Sequence, residues 1–442
     1  METFYDKKYI SREPVRYLHD VFSVGYVFMF SKQLSVTPIL RYDLKNKSCK
    51  KKMNVVNTRV DGLHKIVFGP LYFNELKDTV NPSNIRLSIE FDDAKSKKVI
   101  FKKKIKALDM ANYSRKPYYN TFNFTFAVCS CFNLSKFVVP GSTDFRTLKK
   151  FNDVCKDKNP QMIISSGDIV YLYDSNVSSS YAIQNAYDTL ITLKETESMW
   201  SNYTWVCVND DHELSMNDGM RNSENLQLCR NKLDENFPVG EQVIYQYGFR
   251  SAYFSMKNVS FIILDTVTKR TININGDGAN TKKGYKYNSI LGNTQLSFLN
   301  DYLNNIVALH GRKSLIFIVL GKSMFGDSPG TFAHDCVKER DTIFNYIKTF
   351  KLKNVVFICG DTHLSDFTEY KLDDYTVREI RNSSVTSTPK TTSDNSLQYK
   401  DSLSLENNFG MVNVNGKVNN YTVTYTNYTL KGEQFKYSWT ME

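Results

Sequence analysis

The chain has 442 residues, 41% hydrophobic and 14% aromatic, which is the make-up of a globular protein and excludes a disordered one. That length is too great for one ordinary core and fits two domains, one of them large. The formal charge of +11 is unevenly placed: residues 1–120 carry 24 Lys and Arg against 12 Asp and Glu, and the remainder carries 33 against 34.

The positive excess therefore belongs to the N-terminal part, with dense spots at Lys45 to Lys52 and Lys95 to Lys106. It reads either as a solvated face or as a contact for a polyanion or a membrane surface. No apolar run approaches the ~20 residues that cross a bilayer. The longest early run, Val21 to Phe30, carries Ser23 and Gly25 and lacks a basic lead-in and a small-residue cleavage site. It is not read as a signal peptide, so the expectation is a cytoplasmic protein with no transmembrane segment. The heavy use of Asn, Lys, Tyr and Phe is that of AT-rich coding, as in some large DNA viruses. None of the eight cysteines forms a Cys-x-x-Cys pair, which disfavours zinc ribbons and thioredoxin-like motifs. No disulfide framework is expected, and Cys207 and Cys359 read as buried small hydrophobes within apolar runs.

In chain order, residues 1–120 show short alternating segments. Leu34 to Tyr42 and Val55 to Val67 are strand candidates; Ile85 to Phe91 alternates strictly, Asp92 to Ser96 is a turn, and Lys97 to Lys106 answers as a second strand. These segments predict a small, basic N-terminal β-sandwich domain, 1–120, with a linker at about Asn112 to Tyr119. From Phe122 apolar runs alternate with helical stretches, the pattern of an α/β layered core filling 121–442. The runs are Phe124 to Val128, Met162 to Ser165, Thr204 to Val208, Ser260 to Leu264, Leu315 to Leu320 and Val355 to Cys359. The helical stretches are Phe145 to Cys155, Ser179 to Leu193, Thr294 to Leu309 and Val337 to Phe350. Beyond Ser365 β-like alternation returns, clearest at Tyr421 to Tyr425, while Gly276 to Gly284 and Ser383 to Asp401 read as polar, loop-like insertions.

Chemistry-bearing residues gather where the runs end. The first ends in Cys129-Ser130-Cys131 and the second in Gly167-Asp168-Ile169-Val170-Tyr171. The third ends in Asp210-Asp211-His212-Glu213, the fourth in Asp265-Thr266, and the last in Gly360-Asp361-Thr362-His363. In open α/β sheets ligands bind at the carboxyl ends of strands, so thiol, phenol, carboxylate and imidazole groups at five such ends suit a polynuclear metal site. Of the six histidines only His212 and His363 fall in these motifs; His19, His64, His310 and His334 read as structural.

These residues occur in an order that resembles the PhoD-type alkaline phosphatases, a branch of the calcineurin-like metallophosphoesterases. The resemblance rests on Cys131, Gly167-Asp168-x-x-Tyr171, Asp210-Asp211-His212-Glu213 and Asn217-Asp218-x-Met220. It continues through Leu264-Asp265-Thr266, Leu291-Gly292-x-x-Gln295-x-x-Phe298-Leu299, Glu339-Arg340, Gly360-Asp361-x-His363 and Asn408-Phe409-Gly410, spanning roughly Phe122 to Glu442. It implies a layered β-sandwich flanked by helices and a metal-dependent hydrolase that cleaves phosphoric esters by in-line attack of a metal-bound hydroxide. Asp168 would bridge two ions. Cys131 and Tyr171 would bind one of them as thiolate and phenolate, donors that suit Fe(III). Asp211, Asp361 and His363 would complete the ligands, and hard oxygen donors suit calcium, magnesium or manganese as the other ion. His212 would protonate the leaving group or stabilise phosphoryl charge. Asp210, Glu213, Asn217 and Asp218 would orient ligands or serve a further ion, and Arg340 would hold its helix against the site or touch substrate phosphate.

The chain departs from the family pattern at Asn209 in place of a Trp, and at Val267 in place of an Arg, with Lys269 and Arg270 further on. It departs again at Ala333-His334-Asp335-Cys336 in place of an aromatic signature. These positions bear on the pocket and on substrate choice. Two other readings compete: a catalytically weakened binding or scaffold protein acting through the basic N-terminal domain, and a nucleic-acid enzyme. The clusters around Lys50 and Lys104 lack the aromatic interleaving that the latter would need.

Overall fold

The computed structural model describes residues 3–20, 23–31, 36–44, 47–58, 63–67, 85–93, 96–105, 121–134, 145–172, 179–214, 225–239, 249–272, 287–393 and 402–441. The expected linker at Asn112 to Tyr119 lies outside these residues, as does the loop-like stretch Gly276 to Gly284.

Two sheets dominate. The larger has ten strands, and its centre is the three parallel neighbours Thr121–Cys129, Met162–Ser165 and Thr204–Cys207. On one side it continues through the antiparallel strands Asn408–Lys417, Asn420–Thr429 and Gly432–Thr440. The smaller sheet has six strands around the parallel set Val259–Ile263, Leu315–Leu320 and Asn354–Cys359. Of the six parallel strands just named, five, all but Thr121–Cys129, are buried at every position, which is why these segments read as unbroken apolar runs without alternation.

The sheets pack face to face. Phe124, Phe126, Val128, Ile164 and Val206 from one interleave with Phe261, Phe317, Val319, Val356 and Ile358 from the other. Phe126 lies at the middle of this layer, its ring centroid 5.4 Å from that of Phe261 and 5.1 Å from that of Phe317, both edge-on. Helices Arg146–Lys158, Ser180–Ile191 and Leu226–Asn236 cover the outer face of the large sheet. Helices Gly292–His310 and Val337–Thr349 cover the outer face of the small one. The α/β layering that the residue pattern predicts is present, in the form that the resemblance implies, a layered β-sandwich flanked by helices. Local chemistry sets the helix ends: Ser179 caps Ser180–Ile191 by accepting the Ala182 N–H, and Arg146–Lys158 stops at Asn159 in the left-handed region.

The N-terminal strands form a sandwich of their own. One layer is a five-stranded sheet in the order Thr3–Tyr5, Ser96–Ile105, Ile85–Asp93, Val36–Leu44 and Lys47–Lys52. The other layer is Val15–Asp20, Ser23–Met29, Leu63–Val67 and Asn54–Thr58, and it is the far flank of the ten-stranded sheet, joined where Tyr17 pairs with Trp205. Alternation along Ser23–Met29 serves both cores: Tyr26 and Phe28 face the N-terminal layer, and Val27 faces the helices of the large sheet. Buried polar contacts reinforce the join. Arg12 bonds Asp188 and Asn236 at 2.7 Å, and Glu13 accepts the N–H groups of Ser198 and Ser201. Lys103, from one of the dense basic spots, is buried and donates to Asn202 at 2.7 Å, so that side chain serves packing. Lys50, Lys52 and Lys102 are exposed. All eight cysteines are free thiols, and every one except Cys49 is buried. Among the described residues no helix is long and apolar enough to cross a membrane.

Candidate metal centre

The parallel strands of both sheets end on the same side, and each then breaks into a tight loop. Four of the predicted ligands sit in these breaks with left-handed backbone: Cys131 at φ 62°, Asp168 at 56°, Asp361 at 62° and His363 at 54°. That conformation costs a non-glycine residue roughly 1–2 kcal/mol, so its concentration here marks where the fold holds strain for a purpose. Close approach of the two sheets' loops makes glycine obligatory nearby. A Cβ on Gly360 would lie 2.6 Å from the Ser166 carbonyl oxygen, and one on Gly321 would lie 2.3 Å from Oδ2 of Asp210.

Cys131, Asp168, Tyr171 and His363 converge. The Cys131 thiol lies 3.5 Å from Oδ2 of Asp168, to which the Tyr171 hydroxyl also donates at 3.1 Å. That hydroxyl is 3.2 Å from Nε2 of His363. Nδ1 of His363 faces the Thr388 carbonyl at 2.9 Å and so carries the proton, which leaves Nε2 with a bare lone pair toward the cluster. Donor atoms 3 to 3.5 Å apart are spaced as the ligands around a single ion ~2.0–2.3 Å from each would be. A thiol, a phenol, an imidazole and a carboxylate in this arrangement therefore fit a metal ion, and one with a taste for soft or strongly donating ligands.

A second group of oxygens adjoins the first. Asp168, Asp210 and Asp211 bring carboxylate oxygens within 4.8 Å of one another, and Asp168 is common to both groups, as a bridging ligand must be. Oδ2 of Asp210 is buried with no hydrogen-bond partner, an orphan acceptor of the kind that a cation satisfies. Asp361 is tied to this group through Lys322. The ammonium of Lys322 lies 2.6 Å from Oδ1 of Asp361, 3.3 Å from Asp211 and 3.4 Å from Asp210. Arg270 adds a second buried cation, 3.0 Å from Oδ1 of Asp210.

Electrostatics follow from burial. Burial, with Asp168 beside it, pushes the Cys131 thiol well up, and burial with Asp168 and Cys131 does the same to the Tyr171 phenol. Asp168 is pushed up to about 6, chiefly by burial, with Asp211 and Asp361 adding to the effect. Asp211 is the exception. Burial acts to raise it, but Lys322, Arg270 and His212 together hold it well below the usual carboxylate range. Metal-free, the thiol and phenol keep their protons; a cation must displace them to use both atoms as ligands.

The remaining predicted residues are placed as follows. The His212 ring stacks on Tyr171 with centroids 3.9 Å apart, and its backbone N–H donates to Oδ1 of Asp168 at 3.3 Å. Glu213 accepts the backbone N–H groups of Ile169 and Asp210, so it ties together the two loops that present Asp168 and Asp211. Asn217 and Asp218 lie outside the described residues. Arg340 is engaged on its own helix, 3.2 Å from Asp341 and above the ring of Phe344. Its neighbour Glu339 does the anchoring, taking the backbone N–H groups of Ile290, Leu291 and Gly292. Asp265 also orients structure: its oxygens accept from Asn209, Arg250 N–H and Thr268.

Five residues to which the motif reading gives no role in the site also contact it. Lys322 follows the run Leu315–Leu320, and the strand-end rule that found the carboxylates points to it equally. Arg270 supplies the cation near Asp210 from three positions beyond Val267, where the family's Arg is missing. Ser383, Ser387 and Thr388 belong to the stretch read as a polar insertion, yet they wall the thiol side. Ser383 donates to Cys131 Sγ at 2.9 Å and Ser387 to the Tyr171 hydroxyl at 2.8 Å. No short-range signal marks Ser383 and Ser387, because their partners are more than 200 positions away, and the Thr388 contact is made by its backbone carbonyl, which any residue would supply.

Comparison with known proteins bears on the family and the fold. Residues 126–439 match the model of the family described as PhoD-like phosphatase. A solved structure of PhoD is similar over 96% of this chain and 92% of its own, with a TM-score of 0.65 and 14% identity. The purple acid phosphatase PPD1 from seeds of yellow lupin (Lupinus luteus) is similar over 96% and 73%, with a TM-score of 0.64 and 10% identity. A search of curated protein sequences finds no match. The family match spans well over half of the chain and includes every predicted ligand, and the protein therefore belongs to the PhoD-like phosphatases, metal-dependent hydrolases of phosphoric esters.

Proposed function

We propose that the chain cleaves phosphoric esters at the cluster formed by Cys131, Asp168, Tyr171, His212, Asp211, Asp361 and His363. The cluster divides by donor chemistry into two cation positions that share Asp168. Thiolate, phenolate and imidazole suit Fe(III) at the first; carboxylate oxygens suit calcium, or magnesium or manganese, at the second. Bound cations supply charge stabilisation on the phosphoryl oxygens and acidify a water for attack. The chain's own groups do the rest. Tyr171 holds the His212 ring flat against itself, and Asp168 takes the His212 backbone N–H, so the imidazole is aimed before substrate arrives. In that position His212 can hand a proton to the departing ester oxygen. Asp210 and Glu213 keep the loop that carries Asp211 in place.

The observation that carries this reading is the meeting of Cys131, Asp168, Tyr171 and His363 from loops of both sheets at ligand spacing. Its test is hydrolysis of aryl phosphate mono- and diesters by purified protein supplied with iron and calcium. Turnover that disappears on chelation and returns on reloading supports it; turnover indifferent to chelation opposes it.

A further inference from the structure

Lys322 is the one lysine whose ammonium lies among the site's carboxylates in the described residues, and it is 1% exposed. Two of its contacts, Asp211 and Asp210, belong to the second group of oxygen donors, Asp361 meets that group across the ammonium, and Nζ stands between the three much as an ion would. A lysine side chain is a unit positive charge with three donors and no lone pair when protonated, so it can balance carboxylates but not act as a ligand. From these distances we infer that Lys322 is a built-in cation of the second position. The chain therefore holds one metal ion firmly, at Cys131, Asp168, Tyr171 and His363. A second ion enters only by displacing the ammonium, and is held weakly.

This inference rests on the hydrolase reading and refines its metal complement. Three structural features support it. Among the described residues the hydrogen bonds of the first position involve no lysine or arginine side chain: Cys131, Tyr171 and His363 meet hydroxyls, a carbonyl, the Asp168 carboxylate and one another. At the second, Arg270 has already taken one side of Asp210, so two fixed positive charges face the carboxylates before any ion arrives. Asp361 is the most open of the carboxylates, its side chain 26% exposed, which gives an exchanging ion and the head of Lys322 a common way in and out. Like charges at ~4 Å in a buried site repel strongly enough to weaken binding of a divalent ion about 100-fold or more. With the ammonium in place, Lys322 is also the group that would meet a phosphoryl oxygen on this side of the site.

The test is metal stoichiometry, independent of turnover. Full-length protein is stripped, incubated with excess manganese(II), passed through a desalting column and analysed for manganese per chain, with equilibrium dialysis giving the weaker affinity. The parent is expected to keep one ion. Lys322→Gln, which removes the charge and offers an amide oxygen, is expected to keep two and to bind the second about 100-fold more tightly. In Lys322→Gln the paired ions should also show the exchange-coupled magnetic resonance signal of neighbouring manganese centres. Two ions retained by the parent overturn the inference and leave the hydrolase reading intact, and this arm decides even if the variant fails to fold. A variant that folds and still keeps one ion overturns it as well. No ion retained by either protein overturns the metal centre itself.

Discussion

The Tyr171 hydroxyl and Nε2 of His363 lie 3.2 Å apart, although 192 positions separate them in the chain. Tyr171 follows the strand Met162–Ser165 of one sheet and His363 follows Asn354–Cys359 of the other, so their meeting is a product of sheet-on-sheet packing. Tyr171→Phe keeps the ring against His212 and deletes only the oxygen. In iron-loaded protein the parent should show a visible charge-transfer band, and Tyr171→Phe should lose its phenolate component while circular dichroism is unchanged. An identical visible spectrum in the two proteins would take Tyr171 out of the ligand set.

Ser383 donates to the Cys131 sulfur at 2.9 Å and so stabilises the thiolate that a metal ion needs. Replacing such a supporting partner typically costs 10–100-fold in metal affinity or activity, and Ser383→Ala is expected to fall in that range. The check is a competition titration against a chelator of known affinity, and a shift of less than twofold would show that the serine contributes only packing.

How much of this was legible beforehand follows from the range of each signal. The parallel strands announce themselves as apolar runs because both their faces are buried, and the residues that end them are adjacent in sequence. Cys131, Asp168, Asp211, Asp361 and His363 were therefore visible as a set. The roles of Ser383, Ser387 and Thr388 were not, because a serine-rich loop looks the same whether it meets solvent or wraps a thiol. Arg340 drew attention through its motif, but the helix's anchoring falls to Glu339 next to it. That the strand Val15–Asp20 joins the ten-stranded sheet is not legible, since the one position it pairs with Thr204–Cys207, Tyr17 with Trp205, has no sequence signature.

His212 contacts the cluster through its backbone and its stacked ring, with its imidazole outside the thiol, phenol and imidazole group. His212→Ala should accordingly retain metal while turnover falls by roughly 10²–10⁴, the usual worth of a positioned proton donor. The loss should be smaller for esters with acidic leaving groups, which need less protonation. Equal losses for good and poor leaving groups would argue that the ring stabilises phosphoryl charge and transfers no proton.

Asp168 gives the metal-free protein a pH signature. Its carboxyl is pushed up from 3.8 to about 6, first by burial, so the folded chain holds this proton more tightly than the unfolded one does. The resulting stability is fully present below the ordinary value and is lost as pH rises through the raised one. Asp168→Asn cannot ionise and escapes the loss. Stripped of metal, the variant should therefore gain in Tm relative to the parent as pH goes from about 4 to about 6. A Tm difference that is flat across this window would mean that Asp168 is not held in a costly buried state.

Phe126 fills the centre of the layer between the sheets, fully buried and edge-on to Phe261 and Phe317. Phe126→Ala leaves a cavity there and should destabilise the fold by about 3–5 kcal/mol. Because the same layer sets the separation of the loops, metal affinity should fall with it. Denaturant titration gives the first quantity, and a loss below ~1 kcal/mol would show that the layer collapses around the gap.

The central claim is that one carboxylate, Asp168, shared by two groups of donors, organises a metal centre that performs phosphoester hydrolysis. The most direct measurement is metal content and aryl phosphate hydrolysis determined together on the parent and on Asp168→Asn, both supplied with iron and calcium. The parent is expected to keep its metal and turn over substrate, and the variant, folded by circular dichroism, is expected to lose both. Parent-level hydrolysis by Asp168→Asn would contradict the central claim.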